Sequence, residues 1–367
     1  MKTVSLAAAL ALGLSGPALA ANDSPSPLPV LTLDPAAISV MGISSGGYMA
    51  TQLAVAHPER FQGLAVFAAG PWGCARGELS RALGQCMATR RGLPERDALE
   101  ERLAAYREES LVGSAASLGE QRVYLWHGEA DATVAPALGE RLAAQYRGWL
   151  ADPETQLKVV RQDEAGHGWP VDAGTLPEVT AEDALPPLAD CREGGAPYLL
   201  DCGIDGAGEA LSWLYEDLKT PDDTASGMLW TFDQTAFDDD MAEQGFLYVP
   251  KACEEGAPCG LVVVLHGCQM HAEAIGEAFV RRSGLNRWAA ANRLVVLYPQ
   301  ATSSLANPQG CWDWWGYEES LWQPEPRHDS RAGEQLQGLM GMVHRLSGQA
   351  ETDHSGTAQT DSAETER

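Results

Sequence analysis

A short stretch near the start of the chain constrains the fold more than any other. An apolar run ends at Met41, residues Gly42 to Gly46 have the spacing Gly-x-Ser-x-Gly, and a helical pattern follows from Met49 to His57. A serine on a sharp strand-to-helix turn needs small neighbours, because its backbone is strained and adjacent segments crowd it. The stretch therefore predicts a nucleophile elbow with Ser44 as nucleophile. An ordinary glycine-rich turn is the alternative.

The rest of the chain alternates between strand-like and helix-like segments. Continuous apolar runs at 63–69, 122–128 and 261–268 are typical of strands buried on both faces of a parallel sheet. Helical patterns lie between them, for example at 135–150. This alternation predicts an α/β fold with a mostly parallel sheet and helices on both faces. Reactive side chains are then expected at the carboxyl ends of the strands.

The N-terminus has the pattern of a secretory signal peptide. Met1-Lys2 gives a positive start, Val4 to Leu14 is apolar, and Ala18-Leu19-Ala20 is a small-x-small cleavage site. We expect residues 1–20 to be removed, so that the mature protein acts in the periplasm or the medium.

The remaining chain is expected to contain one catalytic domain, residues 21–346, and a disordered acidic tail, residues 347–367, which has no apolar periodicity. The net charge of −26 argues against binding to nucleic acid and to anionic membrane surfaces, because both would repel such a protein. No interior apolar run reaches the length of a membrane span.

Two further residues complete a predicted catalytic triad. A serine nucleophile needs a base and an orienting carboxylate, and in α/β-hydrolases these follow in the order serine, acid, histidine, each after a strand. Asp131 follows the strand that ends at Gly128, and His167 lies in a glycine-flanked loop after the next strand. We expect Asp131 to be the acid and His167 the base.

Each of these two assignments has rivals. Glu129 and Asp163 are alternative acids, and Asp131 could instead be a helix N-cap. His127 and His266 are alternative bases. Both of these histidines directly precede a glycine at a strand end, which favours a structural or loop-shaping role.

The position of the elbow predicts a circular permutation. An oxyanion hole uses the N–H after the nucleophile and a second N–H from a loop that often contains His-Gly and normally precedes the serine. Only about twenty mature residues precede Ser44, and the candidate loop His266-Gly267-Cys268 comes more than two hundred residues after it. The segment 228–300 is therefore expected to supply the early strands of the sheet.

The eight cysteines agree with export, because an even number in an oxidising compartment favours disulfides. Three pairs are close in sequence, and one pair remains: Cys74 and Cys86, Cys191 and Cys202, Cys253 and Cys259, with Cys268 and Cys311 left over. The connectivity stays open from sequence. Zinc binding is the competing interpretation, but the spacings fit no finger or ribbon pattern, so no metal is expected.

Three motifs together resemble one known family. They are Gly-Ile-Ser-Ser-Gly-Gly-Tyr-Met at 42–49, His-Gly-Cys-Gln at 266–269, and Asn-Pro-Gln-Gly-Cys-Trp-Asp-Trp-Trp-Gly-Tyr at 307–317. With the permuted order, they resemble the poly(3-hydroxybutyrate) depolymerase family of the permuted catalytic-domain type, over nearly the whole chain up to 346. The resemblance implies a secreted α/β-hydrolase that cuts polyhydroxyalkanoate esters without a cofactor.

The resemblance also implies residue roles: nucleophile Ser44, acid Asp131, base His167, and the N–H groups of Ser45 and Cys268 as the oxyanion hole. A Cys268–Cys311 disulfide would bring Trp312 against the scissile ester, where it is similar to the substrate-contacting tryptophan of the family. Flat amphipathic rings suit an uncharged polyester. Core packing is the alternative, and we expect it for at least one of Trp312, Trp314 and Trp315.

Two other functions remain as alternatives. A feruloyl or acetylxylan esterase could use the same scaffold, and a non-catalytic polymer-binding protein is disfavoured because all triad residues are present. Many secreted depolymerases carry a linker and a polymer-adsorbing domain, whereas only a short acidic tail follows here. We therefore expect amorphous polymer or soluble oligomers as substrates, and a monomeric enzyme with no partner besides its polyester or oligoester.

Overall fold

A nine-stranded sheet forms the centre of the molecule. The computed structural model describes residues 25–177, 185–222, 224–321 and 326–349. The predicted signal peptide, and the predicted tail beyond residue 349, lie outside the described residues.

The strands are defined in chain order. They are β1 Ser26–Pro27, β2 Leu33–Ile43, β3 Gly63–Phe67, β4 Arg122–Gly128, β5 Leu157–Gln162, β6 Trp169–Val171, β7 Ala189–Asp190, β8 Leu199–Asp201, β9 Gly227–Asp233, β10 Gln244–Pro250, β11 Cys259–Leu265 and β12 Leu294–Tyr298. The large sheet has the order β1-β9-β10-β12-β11-β2-β3-β4-β5. From β12 to β5 every pairing is parallel, and β10 is antiparallel to both of its neighbours.

The helices connect these strands. They are α1 Ser45–Ala56, α2 Leu79–Gln85, α3 Arg96–Glu108, α4 Ala115–Gly119, α5 Pro136–Trp149, α6 Pro153–Gln156, α7 Gly206–Leu214, α8 Lys251–Glu254, α9 Ala272–Ile275, α10 Ala278–Arg282, α11 Leu285–Asn292 and α12 Glu334–Leu346. Within the described ranges, we find no helix with the length and apolarity that crossing a lipid bilayer requires.

The pairing of β2 with β11 establishes the permutation. These strands lie side by side in parallel, with Met41 opposite Val264 and Gly42 opposite Leu265. The strand that ends at the His266 loop therefore lies next to the elbow strand, although it comes much later in the chain. The predicted circularly permuted and mostly parallel sheet is confirmed.

The sheet is covered on both faces, as the continuous apolar runs predicted. Side chains alternate along a strand, so Val263 belongs to one hydrophobic cluster and its neighbours Val262 and Val264 belong to the other. Residues of α1, α5 and α12 join the first cluster, and residues of α7, α10 and α11 join the second. The result is a three-layer arrangement of helices, sheet and helices.

The several prolines of residues 171–205 predict a loop-like segment. In the structure this segment contributes β7 and β8 to a small parallel sheet of order β6-β8-β7. Strands of two or three residues are too short to produce a detectable hydrophobic period. The disulfide between Cys191 and Cys202 connects the loops next to these strands.

The sequence predicts helical structure at about 272–292, and the structure divides this region into the three short helices α9, α10 and α11. Gly276 and Gly284 lie between them with positive φ values of 59° and 84°. Glycine adopts this left-handed conformation readily. The two glycines therefore allow the chain to change direction twice over β11 and β12.

Four disulfides join all eight cysteines: Cys74–Cys86, Cys191–Cys202, Cys253–Cys259 and Cys268–Cys311. These are the pairs that the spacing suggested. The fourth disulfide connects the turn after β11 to the tryptophan-rich motif.

The contact between α1 and the end of β11 gives a stability prediction. A Cβ atom on Gly46 would lie 2.2 Å from the carbonyl oxygen of Leu265 and 2.3 Å from that of His266. Because neither backbone atom can move freely, we expect Gly46→Ala to lower the free energy of unfolding in urea by about 1–3 kcal/mol.

Gly148→Ala is the matched control, because in α5 an added Cβ meets only the terminal nitrogen of Arg96, at 3.4 Å. Alanine is a better helix former than glycine, so this variant should be as stable as the wild type or more stable. Equal losses in the two variants would contradict the proposed crowding.

Candidate active site

Ser44 occupies a strained turn between β2 and α1. Its φ is 55° and its ψ is −120°, a conformation that costs a residue other than glycine on the order of 1–3 kcal/mol. The Ser44 N–H donates to the carbonyl of Phe67 at 2.9 Å. A Cβ on Gly42 would lie 2.2 Å from the carbonyl oxygen of Gly46. The turn therefore has the geometry of a nucleophile elbow, and its glycines are required by close backbone contact.

Ser44, His167 and Asp131 form a continuous line of hydrogen bonds. Ser44 Oγ lies 2.9 Å from His167 Nε2, and His167 Nδ1 lies 2.7 Å from Asp131 Oδ2. A carboxylate can only accept, so Nδ1–H donates to Asp131 and Nε2 of the neutral ring accepts the serine proton. The exposed fractions are 8%, 7% and 6% for the serine, histidine and aspartate. This geometry can activate a serine hydroxyl.

The Asp131 carboxylate is held by several donors. Its Oδ1 accepts from the N–H groups of Thr133, at 2.8 Å, and Val134, at 2.9 Å. Burial acts to raise the pKa of Asp131, but hydrogen bonds from His127 and His167 outweigh burial and hold the pKa well below its usual range. The carboxylate therefore stays ionised at neutral pH and can stabilise a protonated His167.

The other acids have different surroundings. Glu129 forms an ion pair with Arg161 on the surface, with Arg161 Nη2 2.8 Å from Glu129 Oε2. Asp163 is exposed. The N-cap of α5 is Ala135, so Asp131 does not cap that helix, although its Oδ1 fixes the turn before it.

The two rival histidines lie at the carboxyl ends of β4 and β11. His127 Nε2 lies 2.9 Å from the carbonyl oxygen of Val134 and 3.3 Å from Asp131 Oδ2, so it contacts the same carboxylate oxygen as His167. His266 is fully buried, and its ring contacts backbone groups of Gly267 and Ala301. Burial lowers the pKa of His266 to about 3.

The predicted oxyanion hole is built from α1 and the turn after β11. A Cβ on Gly267 would lie 3.2 Å from the Ser44 Cβ, so this turn touches the nucleophile. Among the described residues, the N–H groups of Ser45 and Cys268 donate to no acceptor. Unpaired backbone N–H groups beside a nucleophile can bind an oxyanion.

The tryptophan-rich motif lies behind this turn. Trp312 has no exposed surface, and its indole N–H donates to the carbonyl of His266 at 3.0 Å. Trp314 stacks on Tyr48 with ring centroids 4.2 Å apart, and Trp315 packs against Trp314. In this structure Trp312 contacts the turn from its buried side, so a contact between Trp312 and substrate stays a prediction.

Sequence reasoning missed two supporting residues. His127 had been considered only as a rival base, although its spacing of four residues before Asp131 could have indicated a contact between them. Asn307 holds the third motif together, because its side chain donates to the carbonyl of Cys311 at 2.7 Å and accepts from the N–H of Cys311 at 3.0 Å. Its position at the start of that motif was the available sign.

Two carboxyl groups lie at the end of this motif: Asp313 within it is buried, and Glu318 directly after it is half-buried. Asp313 is 3% exposed and accepts from the N–H groups of Tyr317 and Glu318. Burial raises the pKa of Asp313 to about 7. Burial, and then repulsion from Asp313, raises the pKa of Glu318 to about 8.

The permuted sheet, the strained turn at Ser44 and the loops that bring Asp131 and His167 to it define a serine hydrolase of the α/β-hydrolase class. Residues 31–182, which contain Ser44, Asp131 and His167, match the model of the prolyl oligopeptidase family. The chain is 34% identical over 343 residues to the polyhydroxybutyrate depolymerase of Talaromyces funiculosus. The aligned region covers 89% of this chain and 94% of that protein. The chain therefore belongs to the polyhydroxybutyrate depolymerase family.

Further relatives agree with this assignment. The poly(3-hydroxybutyrate) depolymerase of Delftia acidovorans is 33% identical over 87% of this chain, which spans 61% of the length of that relative. The crystal structure of the PHB depolymerase from Penicillium funiculosum superposes with a TM-score of 0.78 at 32% identity, over 88% of this chain and 99% of that one. A serine-to-alanine variant of a PHB depolymerase complexed with R3HB trimer gives a TM-score of 0.77 at 33% identity, with the same coverage.

The hydrogen bonds that join Ser44, His167 and Asp131 predict that Asp131→Asn strongly lowers kcat. An amide at this position favours the wrong tautomer of His167, so we expect kcat on a soluble p-nitrophenyl ester to fall by about 10⁴-fold at pH 7.5. Glu129→Gln removes the neighbouring acid and should change kcat less than about twofold, since Glu129 contacts Arg161 at the surface. Similar losses in both variants would contradict the assignment of the acid.

The buried carboxyls predict a pH dependence of stability. Their folded-state pKa values of about 7 and 8 exceed those of the unfolded chain, so the folded protein binds more protons. This contribution is fully present below about pH 4 and is lost as the pH rises through 7 and 8. We expect the free energy of unfolding to decrease between pH 5 and 8.5, measured by urea denaturation.

Glu318→Gln should flatten this decrease, because the amide does not ionise. Glu154→Gln is the control, since it removes the same charge from an exposed position. Identical pH profiles for the two variants would rule out Glu318 as a source of the effect.

Proposed function

We propose that this protein hydrolyses the ester bonds of poly(3-hydroxybutyrate) and its short oligomers through an acyl-enzyme. The observation that carries the proposal is the complete line from Ser44 through His167 to Asp131, on a permuted fold shared with polyhydroxybutyrate depolymerases along nearly nine-tenths of the chain. An uncharged polyester also meets no repulsion from a surface of net charge −26.

In the first step, Ser44 Oγ attacks the ester carbonyl carbon while His167 Nε2 accepts the serine proton. Asp131 stabilises the resulting imidazolium through Nδ1–H. The N–H groups of Ser45 and Cys268 bind the negative oxygen of the tetrahedral intermediate. The C–O bond to the leaving chain then breaks, His167 gives its proton to the departing oxygen, and a 3-hydroxyacyl ester remains on Ser44.

In the second step, water opens the acyl-enzyme. His167 removes a proton from the water as the water oxygen attacks the acyl carbon. The same two N–H groups bind the new oxyanion. His167 then returns the proton to Ser44 Oγ as the acyl bond breaks. The product is a 3-hydroxy acid or a shorter oligomer with a free carboxyl end.

We further propose that the protein works outside the cytoplasm as a monomer, with residues 1–20 as a signal peptide, 21–346 as the catalytic domain and 347–367 as a tail. The four disulfides support an oxidising compartment. One chain contains all the reactive groups of the proposed site, which supports a monomer.

The proposal is tested with suspensions of amorphous poly(3-hydroxybutyrate). Chromatography should detect 3-hydroxybutyrate monomer or dimer from the wild type, and Ser44→Ala should lower the rate on the order of 10⁶-fold. Ser212→Ala replaces an exposed serine on α7 and should leave the rate unchanged. Wild-type turnover by Ser44→Ala would refute the role of this serine.

A parallel reaction with feruloylated and acetylated xylan separates the proposal from the esterase alternative. Release of ferulate or acetate without any hydroxybutyrate product would assign the protein to that other class. A serine-reactive fluorophosphonate should label the wild type and fail to label Ser44→Ala, which also distinguishes an enzyme from a polymer-binding protein.

A further inference from the structure

His266 contacts two backbone groups, one in the turn after β11 and one after β12. Its Nδ1 lies 2.7 Å from the carbonyl oxygen of Gly267, and its Nε2 lies 3.1 Å from the backbone N of Ala301. The Ala301 N–H can only donate, so Nε2 must accept. The neutral ring therefore carries its proton on Nδ1, and Nδ1–H donates to Gly267.

The hydrogen bond to Gly267 fixes the orientation of the next peptide group. Among the described residues, the cis peptide bond lies at Ala196–Pro197, so the Gly267–Cys268 peptide is trans. In a planar trans peptide the C=O and N–H bonds point in opposite directions. When the Gly267 carbonyl points to His266, the Cys268 N–H points away from His266, and it finds no acceptor in the described chain.

We propose that His266 is a positioning residue for the oxyanion hole: by holding the Gly267 carbonyl, it aims the Cys268 N–H at the ester oxyanion that forms on Ser44. This inference rests on the proposed function, because it assigns a cause to the orientation of one proposed oxyanion donor. His266 acts through the peptide group and does not touch the substrate.

Two other contacts hold the turn at the Cys268 side chain and at the His266 carbonyl, and one longer bond shares the Gly267 carbonyl with His266. The Cys268–Cys311 disulfide limits the movement of the Cys268 side chain, and the Trp312 indole holds the carbonyl of His266. The Met270 N–H also donates to the Gly267 carbonyl, but at 3.2 Å. The 2.7 Å bond from His266 is the shorter of the two. Because burial keeps the ring neutral, this bond persists over the whole working range of pH.

Two variants separate the two contacts of His266. In His266→Asn, the amide N–H lies near the position of Nδ1 and can still hold Gly267, but it does not reach Ala301. In His266→Gln, the amide oxygen lies near the position of Nε2 and can accept from Ala301, but Gly267 loses its shorter hydrogen bond and keeps only the one from Met270 N–H. The two variants therefore remove opposite halves of the interaction.

The two variants are expected to rank in opposite orders for activity and for stability. His266→Gln should lower kcat about 100-fold with little change in KM, as expected when an oxyanion donor is lost, and His266→Asn should stay within about tenfold of wild type. A boronic acid that forms a tetrahedral adduct with Ser44 should lose affinity in the same order. Stability should follow the reverse order, since only His266→Gln keeps a partner for the buried Ala301 N–H.

A purely structural role would make activity follow stability, and that result would overturn the inference, as would wild-type kcat in both variants. A wild type that neither cleaves polymer nor binds the boronic acid would overturn the proposed function, and the inference with it. An active wild type without these opposite orders would overturn the inference alone.

If the variants do not fold, ¹⁵N spectra of histidine-labelled wild type provide the test. The His266 ring should carry its proton on Nδ1 and should not titrate between pH 5 and 9. A proton on Nε2 would overturn the inference.

Discussion

The parallel pairing of β2 with β11 is the constraint on which the site depends. It brings the carboxyl end of the elbow strand to the carboxyl end of the strand that precedes His266. The backbones approach so closely at this point that Gly46 has no room for a side chain beside the Leu265 carbonyl. The proposed nucleophile and the second proposed oxyanion donor follow these two strands directly, so the same strand pairing positions both.

The electrostatics of the site follow from burial combined with hydrogen bonding. An isolated carboxylate at the depth of Asp131 would tend to be protonated. Two backbone N–H groups and two histidines surround it, so it stays ionised and orients His167. Asp313 is buried to a similar degree, but it has only backbone donors and a nearby acid, Glu319, so burial dominates and raises its pKa. Two carboxyl groups at similar depth therefore behave differently: Asp131 stays ionised at neutral pH, and Asp313 changes its protonation near neutral pH.

Much of the fold and the placement of the site residues could be predicted because the patterns are local. The elbow is contained within Gly42 to Gly46, and Asp131 and His167 each follow a recognisable strand. The permutation could be inferred from counting the residues before Ser44. The three-residue strands β6 and β8 could not be predicted, since they depend on tertiary pairing rather than on periodicity.

The support for the site was also beyond prediction, because it arises between segments that are distant in sequence. The contact of His266 with Ala301 depends on the arrangement of β11 and β12, and the complete burial of Trp312 depends on how its motif folds under the turn. Sequence patterns identify residue types at a site. They do not say which backbone atom a side chain will hold.

The permuted strand order has a consequence for how the protein must fold. β2 lies at the middle of the sheet, yet its two neighbours come from opposite sides of it in the chain: β3 soon after it, and β11 only after most of the protein. One edge of β2 stays open until that late segment arrives, and contacts of such long sequence separation form slowly. An open apolar strand edge invites pairing with other chains. Because β2, which leads to the proposed nucleophile, comes so long before β11, its open edge can pair with other chains until nearly all strands of the sheet are present.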